Sequence, residues 1–335
     1  MRDAPRLLAA ALLVALGAVA PVAAQQARMV RPGIAEEATP VLLSFVVVDV
    51  VEIDAVDESF ELDFVISARW RDERLAWESD GETAAMIYGL DDIWHPRVTV
   101  LNSRGLTPMF PRELEVAPDG EVHYLQRFQG SLRMPLDLED FPFDVQELAV
   151  RIIDVRYSPQ EIRFEIDQER TLMLPSAALS GWRIELTGGR VEPLELAEGI
   201  LAGVTLRIEA DRDPGHFIWT MMLPLALIAL MAWMVFWIDP SSMPAQIGLS
   251  TASVFSLMAY RTAIRMSLPE VSYITRADIF ILGTTALVFG ALVHAIATGR
   301  LAKTGHEDLA RRLDRWARGV YVALMAVIVT TTLLW

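Results

Sequence analysis

The sequence has no cysteine and only five histidines among its 335 residues. Without cysteine the chain can form no disulfide, no thiolate metal site and no cysteine nucleophile. It also contains neither a phosphate-binding glycine loop nor a nucleophile elbow. The histidines have no metal-ligand spacing; they are His95, His123, His216, His294 and His306. These absences argue against an enzyme, and we expect no catalytic residue, no metal site and no cofactor.

Positive charge is also scarce. The chain has 29 Lys and Arg against 44 Asp and Glu, and this net charge of -15 argues against nucleic acid as a partner. Hydrophobic residues make up 53% of the chain and gather at the N-terminus and after residue 216, whereas the middle carries most of the carboxylates. This distribution predicts a water-facing domain followed by a membrane domain.

The first residues have the pattern of a secretory signal. Arg2 and Arg6 supply the positively charged start, residues 7–20 form an apolar run, and residues 22–24 fit a small-x-small cleavage site. We therefore expect residues 1–24 to be a signal peptide; the alternative is an uncleaved anchor helix. Either form predicts that the residues after it are exported.

Residues 40–210 alternate apolar and polar side chains in short runs, as in 60–66 and 204–208. Turn signals such as the PDG of residues 118–120 separate these runs. Many short alternating strands with regular turns are typical of an antiparallel β-sandwich. We therefore expect residues 25–213 to form an extracellular or periplasmic ligand-binding β-sandwich.

Four apolar segments follow, at about 217–238, 247–264, 279–297 and 317–335, and they predict a C-terminal four-helix transmembrane bundle over residues 214–335. Export of the sandwich makes the loop between the third and fourth helices cytoplasmic. Its cations agree with the positive-inside rule; they are Arg300, Lys303, Arg311, Arg312, Arg315 and Arg318. We therefore expect a multi-pass protein of the cell (inner) membrane, with the N-terminal domain and the C-terminus extracytoplasmic.

Residues 134–148, MPLDLEDFPFDVQEL, form the most specific segment of the sandwich. The segment resembles the signature loop of the Cys-loop receptor superfamily, the pentameric ligand-gated ion channels. In the animal members two cysteines close this loop, and they would fall at Met134 and Leu148 here. Their absence is what the prokaryotic branch of the family looks like.

Further motifs follow in the order and spacing of the same family. They are residues 70–72 (WRD), 93–96 (IWHP), 118–120 (PDG), 181–182 (GW), Arg212, 244–249 (PAQIGL) and 267–273 (SLPEVSY). The resemblance covers nearly the whole mature chain. It implies a homopentamer in the lipid bilayer, in which agonist binding between sandwich domains opens a pore for small ions that the second helix lines.

The register of the resemblance assigns one face of the second helix to the pore. Its residues are Pro244, Gly248, Ala252, Phe255, Ala259, Thr262 and Met266, with Arg265 at the outer end. Phe255 stands where the family keeps a hydrophobic gate, which stops conduction by dewetting. Polarity alone favours another stripe: Ser250, Ser253, Ser256 or Leu257, and Tyr260. We prefer the register because motifs fix both ends of the helix and serines often pack against neighbouring helices.

Charge selectivity depends on the two mouths of the pore. The inner mouth, residues 244–246, has no glutamate ring of the kind that cation-selective relatives carry, and rings of Arg261 and Arg265 would concentrate anions. We therefore expect anion preference. Two features oppose it, because Gln246 stands where anion channels have arginine and the acidic sandwich favours cations.

The resemblance implies a set of residues that couple the sandwich to the pore. Arg212 in this crowded junction needs a carboxylate partner, with Asp144 as the first choice and Asp57 or Glu58 as the second. The alternative is that Arg212 merely flanks the membrane. Phe141 is expected to form part of a rigid, cis-compatible proline turn. The full set is Glu58, Phe141, Pro142, Phe143, Asp144, Arg212, Leu268 and Pro269.

Agonist sites in this family lie between subunits and often enclose an ammonium group in aromatic rings. Residues 190–199, which should close over the ligand, contain no aromatic side chain, and this disfavours a choline-like agonist. The candidate wall residues are Phe64, His123, Tyr124, Arg127, Tyr157 and Glu192, for which sandwich core or solvated rim is the alternative.

A proton agonist is a second option. Asp49 and Glu58 match carboxylates at proton-sensitive positions of a bacterial relative, and partly buried carboxylates can titrate near neutrality. The histidine that this relative carries in its second helix is Leu257 here. A carboxylate- or amine-bearing metabolite, or a divalent cation at the acidic vestibule, is equally open.

A membrane-anchored receptor without a pore is the competing class of protein. Such a receptor would need no serine-bearing, proline-flanked second helix and would normally carry a cytoplasmic effector domain. The predicted topology places only a short basic loop inside, which favours ion flow as the output.

Overall fold

The computed structural model describes residues 28–33, 37–78, 85–197, 199–264 and 271–334. The predicted signal peptide, residues 1–24, lies outside them. The described residues form two compact units. The first comprises the described parts of Met1–Pro135, Glu147–Leu179 and Ile184–Ala210; the second comprises those of Leu136–Gln146, Ser180–Arg183 and Asp211–Trp335.

Fourteen described strands confirm the predicted β-sandwich. They are β1 (Thr39–Asp54), β2 (Ser59–Arg71), β3 (Met86–Gly89), β4 (Val98–Val100), β5 (Thr107–Pro108), β6 (Glu113–Val116), β7 (Glu121–Arg133), β8 (Val145–Asp154), β9 (Ile162–Ile166), β10 (Leu172–Met173), β11 (Trp182–Val191), β12 (Leu194–Leu196), β13 (Gly199–Leu201) and β14 (Gly203–Arg212). A 3₁₀ turn, Glu73–Leu75, follows β2. One sheet has the order β10-β1-β2-β7-β6-β3, with β5 on β7 and β9 on β1; another has the order β11-β14-β8-β4.

The alternation of side chains explains the long strands of the first sheet. In β2 every second side chain from Phe60 to Trp70 is buried, and Phe60, Leu62 and Phe64 are among the largest fully buried residues. Because successive side chains of a strand point to opposite faces, this pattern provides one apolar face for the core.

Four helices follow: α1 (Gly215–Trp237), α2 (Met243–Ile264), α3 (Arg276–Lys303) and α4 (Glu307–Leu334). The predicted starts of the third and fourth helices, 279 and 317, are too late because apolar runs mark only the middle of each helix. Polar residues extend them: Thr275 and Asp278 form a capping box at the start of α3. Within the described residues, α1, α3 and α4 are long and apolar enough to cross a membrane, whereas α2 does not belong to this group.

A proline modifies α1. Pro224 has no N–H, so the carbonyl of Thr220 loses its usual partner in the helix. A π-helical turn, Ile218–Met222, precedes it, and the Tyr260 hydroxyl of α2 donates a hydrogen bond to the Thr220 carbonyl. A side chain of α2 therefore satisfies the backbone group that the proline leaves free.

Candidate functional site

The faces of α2 differ sharply in exposure. Gly248, Ala252, Phe255, Ala259 and Thr262 are all exposed on the single chain, and Phe255 is 70% exposed. They recur at helical spacing, so they share one face. Pro244, at the first turn, is exposed as well. The exposed side chains of α2 therefore include the face that the family register predicts to line the pore, together with others such as Ser256, Met258 and Arg261.

The alternative polar stripe lies mainly inside the helical unit. Ser250, Ser253 and Leu257 are fully buried, and Tyr260 is half-buried. The hydroxyls of Ser250 and Ser253 donate to the carbonyls of Gln246 and Leu249 at 2.8 and 3.0 Å. Ser256 alone of this stripe is exposed. The serines consequently satisfy their polar groups within α2 while their helix face packs inward.

The inner end of α2 carries a buried polar cluster. Gln246 is fully buried, and its Nε2 donates to the Ile238 carbonyl at 2.9 Å and to Oδ2 of Asp314 at 3.4 Å. Oδ1 of Asp314 lies 2.8 Å from Nε2 of His294. The residue at the position of the anion-channel arginine therefore faces α3 and α4 rather than the exposed face. Sequence reasoning missed this cluster because its members lie far apart in the chain.

The outer end of α2 is only partly described. Arg261 is exposed. Arg265, Met266, Leu268 and Pro269, which we predicted to lie at the outer mouth or the gating interface, fall outside the described residues.

Arg212 forms the predicted ion pair with Asp144. Its Nε and Nη2 donate to the two carboxylate oxygens at 2.7 and 3.1 Å, and Asp144 is 2% exposed. The guanidinium carbon lies 4.0 Å from the ring centroid of Trp182, 5.0 Å from that of Phe141 and 5.9 Å from that of Phe217. A bidentate pair inside an aromatic enclosure fixes the arginine tightly.

The Phe141–Pro142 peptide bond is cis, as the proline-turn interpretation expected. Phe141 is buried against Phe217, with ring centroids 4.8 Å apart, whereas Phe143 is half-buried. Sequence reasoning missed three further contacts of this segment: Arg276 pairs with Asp140 at 2.7 Å, Tyr273 accepts from the Leu138 N–H at 2.9 Å, and Gln146 donates to Asp144 at 2.6 Å.

These contacts change where the chain divides. The predicted boundary at residue 213 follows chain order. In the structure, however, Leu136–Gln146 and Ser180–Arg183 belong to the helical unit. The physical reason is the ion pair and ring cluster around Arg212, which join short segments distant in sequence.

The two carboxylates suggested as proton sensors differ in environment. Asp49 is half-buried on β1. Glu58 is half exposed in the β1–β2 turn, has a φ of 48°, and lies 3.7 Å from Arg133. Asp57, which together with Glu58 was the second choice of partner for Arg212, is exposed.

Three of the candidate agonist residues lie on β7, with His123 and Arg127 on one face of the strand and Tyr124 on the other. His123 bonds to the Ser67 hydroxyl at 2.8 Å, and Arg127 forms a bidentate pair with Asp63 at 2.9 and 2.6 Å. Burial lowers the pKa of His123 below its ordinary value. Tyr124 is half-buried, and burial raises its pKa.

The other candidates fall elsewhere. Phe64 is fully buried beside Phe128, so its predicted place in a cavity wall is wrong: its side chain belongs to the core face of β2. The Tyr157 hydroxyl accepts from Nε1 of Trp94 at 3.1 Å. Glu192 is paired with Arg207. Tyr157 and Glu192 flank the start of β14, because their backbones bond to Ala202 and Gly203.

Comparison with known proteins gives two family matches. The model of the neurotransmitter-gated ion-channel ligand binding domain matches residues 22–186, and that of the neurotransmitter-gated ion-channel transmembrane region matches residues 221–332.

Three relatives span most of this chain. A proton-gated ion channel of Gloeobacter violaceus is 25% identical over 290 residues, 86% of this chain and 80% of that protein. A gamma-aminobutyric acid receptor subunit beta of Caenorhabditis elegans is 26% identical over 280 residues, 80% of this chain and 50% of that subunit. A beta-like subunit of Drosophila melanogaster is 27% identical over 293 residues, 80% of this chain and 57% of that subunit.

Proposed function

This chain belongs to the family of neurotransmitter-gated ion channels, and on that premise we propose that it is one subunit of a homopentameric channel whose pore is lined by α2. The observation that carries the proposal is the exposed face of α2, formed by small residues and Phe255. Within the described residues of the chain, no segment covers this face. Five copies around an axis would turn each exposed residue into a ring.

Phe255 is the proposed gate. Its side chain is 70% exposed, flanked one turn away by Ala252 and Ala259. A ring of five phenylalanines between rings of alanine would be the narrowest apolar part of the pore, where water is expelled first.

Anion preference is proposed for the open pore. The exposed cation Arg261 on α2 and the absence of acidic residues from the described part of this helix support it. The burial of Gln246 is consistent with it, because a neutral amide at that position leaves selectivity to the outer end.

A cation-permeable or proton-modulated channel of the same family is the alternative. The net charge of -15 and the half-buried Asp49 favour it, and the Gloeobacter violaceus relative is a proton-gated ion channel. A pore-less membrane-anchored receptor is the remaining alternative, and the exposed α2 face disfavours it.

The agonist is proposed to bind between subunits, where His123 and Arg127 of one chain would face Tyr157 and Glu192 of its neighbour. These two groups lie on different strands and loops of the sandwich. Each chain would therefore present one group to the neighbouring subunit on one side and the other group to the neighbour on the other side. The ion pairs Arg127–Asp63 and Arg207–Glu192 fix the positions of the charged side chains, so less side-chain entropy is lost when a polar ligand binds.

The test is current recording from purified protein in planar bilayers under a tenfold salt gradient. Gated currents are expected, with a reversal potential near the anion equilibrium potential. No current under any pH or ligand would contradict the channel, while a reversal near the cation potential would contradict only the anion preference.

A further inference from the structure

A buried carboxylate joins the inner ends of three helices. Asp314 of α4 is 2% exposed, and its Oδ1 lies 2.8 Å from Nε2 of His294 on α3. Its Oδ2 accepts a hydrogen bond of 3.4 Å from the side-chain amide of Gln246 on α2. The ring of Phe236 stands edge-on to the imidazole of His294, with centroids 5.0 Å apart and an interplanar angle of 90°. The imidazole is therefore held between an aromatic ring and the carboxylate.

The other charged groups at these helix ends are paired with other partners or exposed. Arg318 donates from Nε to the Phe236 carbonyl at 3.1 Å, and its guanidinium carbon lies 4.1 Å from the ring centroid of Trp237. Arg311 pairs with Asp239 at 3.4 Å. The inner half of α2 contains no charged side chain. The exposed groups are Arg300, Lys303, Glu307, Asp308, Arg312 and Arg315.

His294 consequently forms the one ion pair that Asp314 makes within the described chain, and it does so only when the imidazole is protonated. Imidazole is the side chain that changes its charge between about pH 5 and 8. With a neutral imidazole the pair carries one negative charge, and with an imidazolium it carries none. Gln246 donates to the carboxylate but adds no charge of its own.

Protons can reach this pair from the solution at the inner side. A cavity of about 500 Å³ lies between the link from α1 to α2 and the start of α4, and Asp314 forms part of its wall. Asp239, Arg311 and Arg315 also line it and are exposed, so the cavity opens to the solution near the loop between α3 and α4. It is large enough and polar enough to admit water.

The cluster lies behind the pore-lining face of α2. Gln246 and Gly248 are two residues apart, which places them on nearly opposite sides of the helix. A helix with its side chains is about 10 Å across, so the buried carboxylate stands about one helix diameter behind the exposed face. A charge at that distance is only weakly screened when protein rather than salt solution lies between.

We propose that His294 is a specificity-determining residue of the pore, because its protonation from the inner solution cancels the charge of Asp314 and raises the preference for anions. This role rests on the proposed function, in which α2 lines the pore and the loop between α3 and α4 is cytoplasmic. When His294 is neutral, five carboxylates surround the inner mouth and repel anions. Arginine at position 246, the residue that anion channels have there, would supply the same compensation at every pH.

The test is the reversal potential in inside-out patches from cells that express the full chain, under a tenfold NaCl gradient. The pH at the cytoplasmic face is set to 8 or 6 while the external pH stays fixed. The chloride-to-sodium permeability ratio should be about threefold higher at pH 6 than at pH 8, given charges at this distance.

Two single variants separate His294 from other histidines on the same side. His294→Gln keeps a hydrogen-bond donor for Asp314 but cannot be charged, so its ratio should stay at the wild-type pH 8 value at both pH values. His306→Gln is the matched control. It removes an exposed histidine from the loop between α3 and α4 and should respond as the wild type does.

A further substitution tests for a gain. Gln246→Arg in the His294→Gln background places a permanent cation beside Asp314, and at pH 8 it should restore the wild-type pH 6 ratio. Misfolding cannot produce such a gain. The proposal is overturned if the wild-type ratio does not respond to inner pH, if His294→Gln keeps the full response, or if His306→Gln loses it.

A second measurement tests the pair without currents. Melting temperatures of wild type, His294→Gln, Asp314→Asn and the double variant, in detergent at pH 6 and 8, form a double-mutant cycle. The non-additive part should be larger at pH 6, because only the imidazolium carries a charge that attracts the carboxylate. Equal non-additivity at both pH values overturns the proposed role. Currents without a pH response contradict this role alone, whereas absence of current in every protein contradicts the channel itself.

Discussion

Arg212 combines three interactions that depend on its planar, permanently charged group. The bidentate pair with Asp144 lies in a nearly water-free site, and the face of the guanidinium rests 4.0 Å from the Trp182 ring. Gln146 supplies a further donor to the same carboxylate. Lysine could offer neither the paired geometry nor the stacking, so the chemistry of this position is specific to arginine.

Arg212→Ala is expected to abolish currents or surface expression. It leaves the buried Asp144 charge without its cation, which costs about 3–5 kcal/mol. Thermal unfolding followed by tryptophan fluorescence, together with current recording, measures both effects. Arg312→Ala, which removes an exposed arginine from α4, should change stability by less than about 0.5 kcal/mol. Normal currents and an unchanged melting temperature in Arg212→Ala would refute the role given to this pair.

His123 makes stability depend on pH. Its pKa is lowered in the folded chain, first by burial, so the unfolded chain binds more protons just below the ordinary value of 6.5. Folding stability should therefore fall as the pH decreases through 6.5. His123→Gln should reduce that fall in melting temperature, whereas His306→Gln, an exposed histidine, should not. Identical pH profiles in wild type and His123→Gln would contradict the assignment.

At the scale of elements, a hydrogen bond links α1 and α2 at the point where Pro224 interrupts the helical hydrogen bonds of α1. The Tyr260 hydroxyl donates to the carbonyl of Thr220, the group that residue 224 would otherwise bond. Within a bilayer an unpaired carbonyl is costly. The tyrosine therefore supplies the hydrogen bond that this carbonyl lacks and links the two helices.

Tyr260→Phe is expected to lower stability by about 1 kcal/mol, the usual worth of one such hydrogen bond. In a Pro224→Ala background the new N–H can bond to Thr220, and the same substitution should then cost much less. Thermal unfolding of the four proteins gives the coupling energy. Equal costs in both backgrounds would show that the hydroxyl does not replace the missing N–H.

The helices also show what the sequence could and could not reveal. The apolar runs predicted that the four helices exist. However, α3 and α4 begin earlier than predicted, because capping residues and polar turns carry no hydropathy signal. In α2 polarity pointed to the serine face, whereas the structure buries Ser250 and Ser253. Their hydroxyls bond to carbonyls of their own helix, an interaction that composition cannot distinguish from contact with water.

At the scale of the whole molecule, the sandwich followed by helices was predictable because two periodicities dominate the chain: alternation before residue 213 and long apolar runs after it. The Arg212–Asp144 pair was predictable from the family motifs. The cluster of Gln246, His294 and Asp314 was not, since it joins three helices. Phe64 was misplaced because a core phenylalanine and a ligand-binding one look alike in sequence.

The central claim is that α2 faces water along Ala252 and Phe255. The chain has no native cysteine, so each introduced cysteine is the sole thiol for a water-soluble thiol reagent. In open channels, currents of Ala252→Cys and Phe255→Cys should be altered irreversibly by the reagent, while those of Ser253→Cys should be unaffected. Modification of Ser253→Cys and Tyr260→Cys, with Ala252→Cys and Phe255→Cys untouched, would contradict the account.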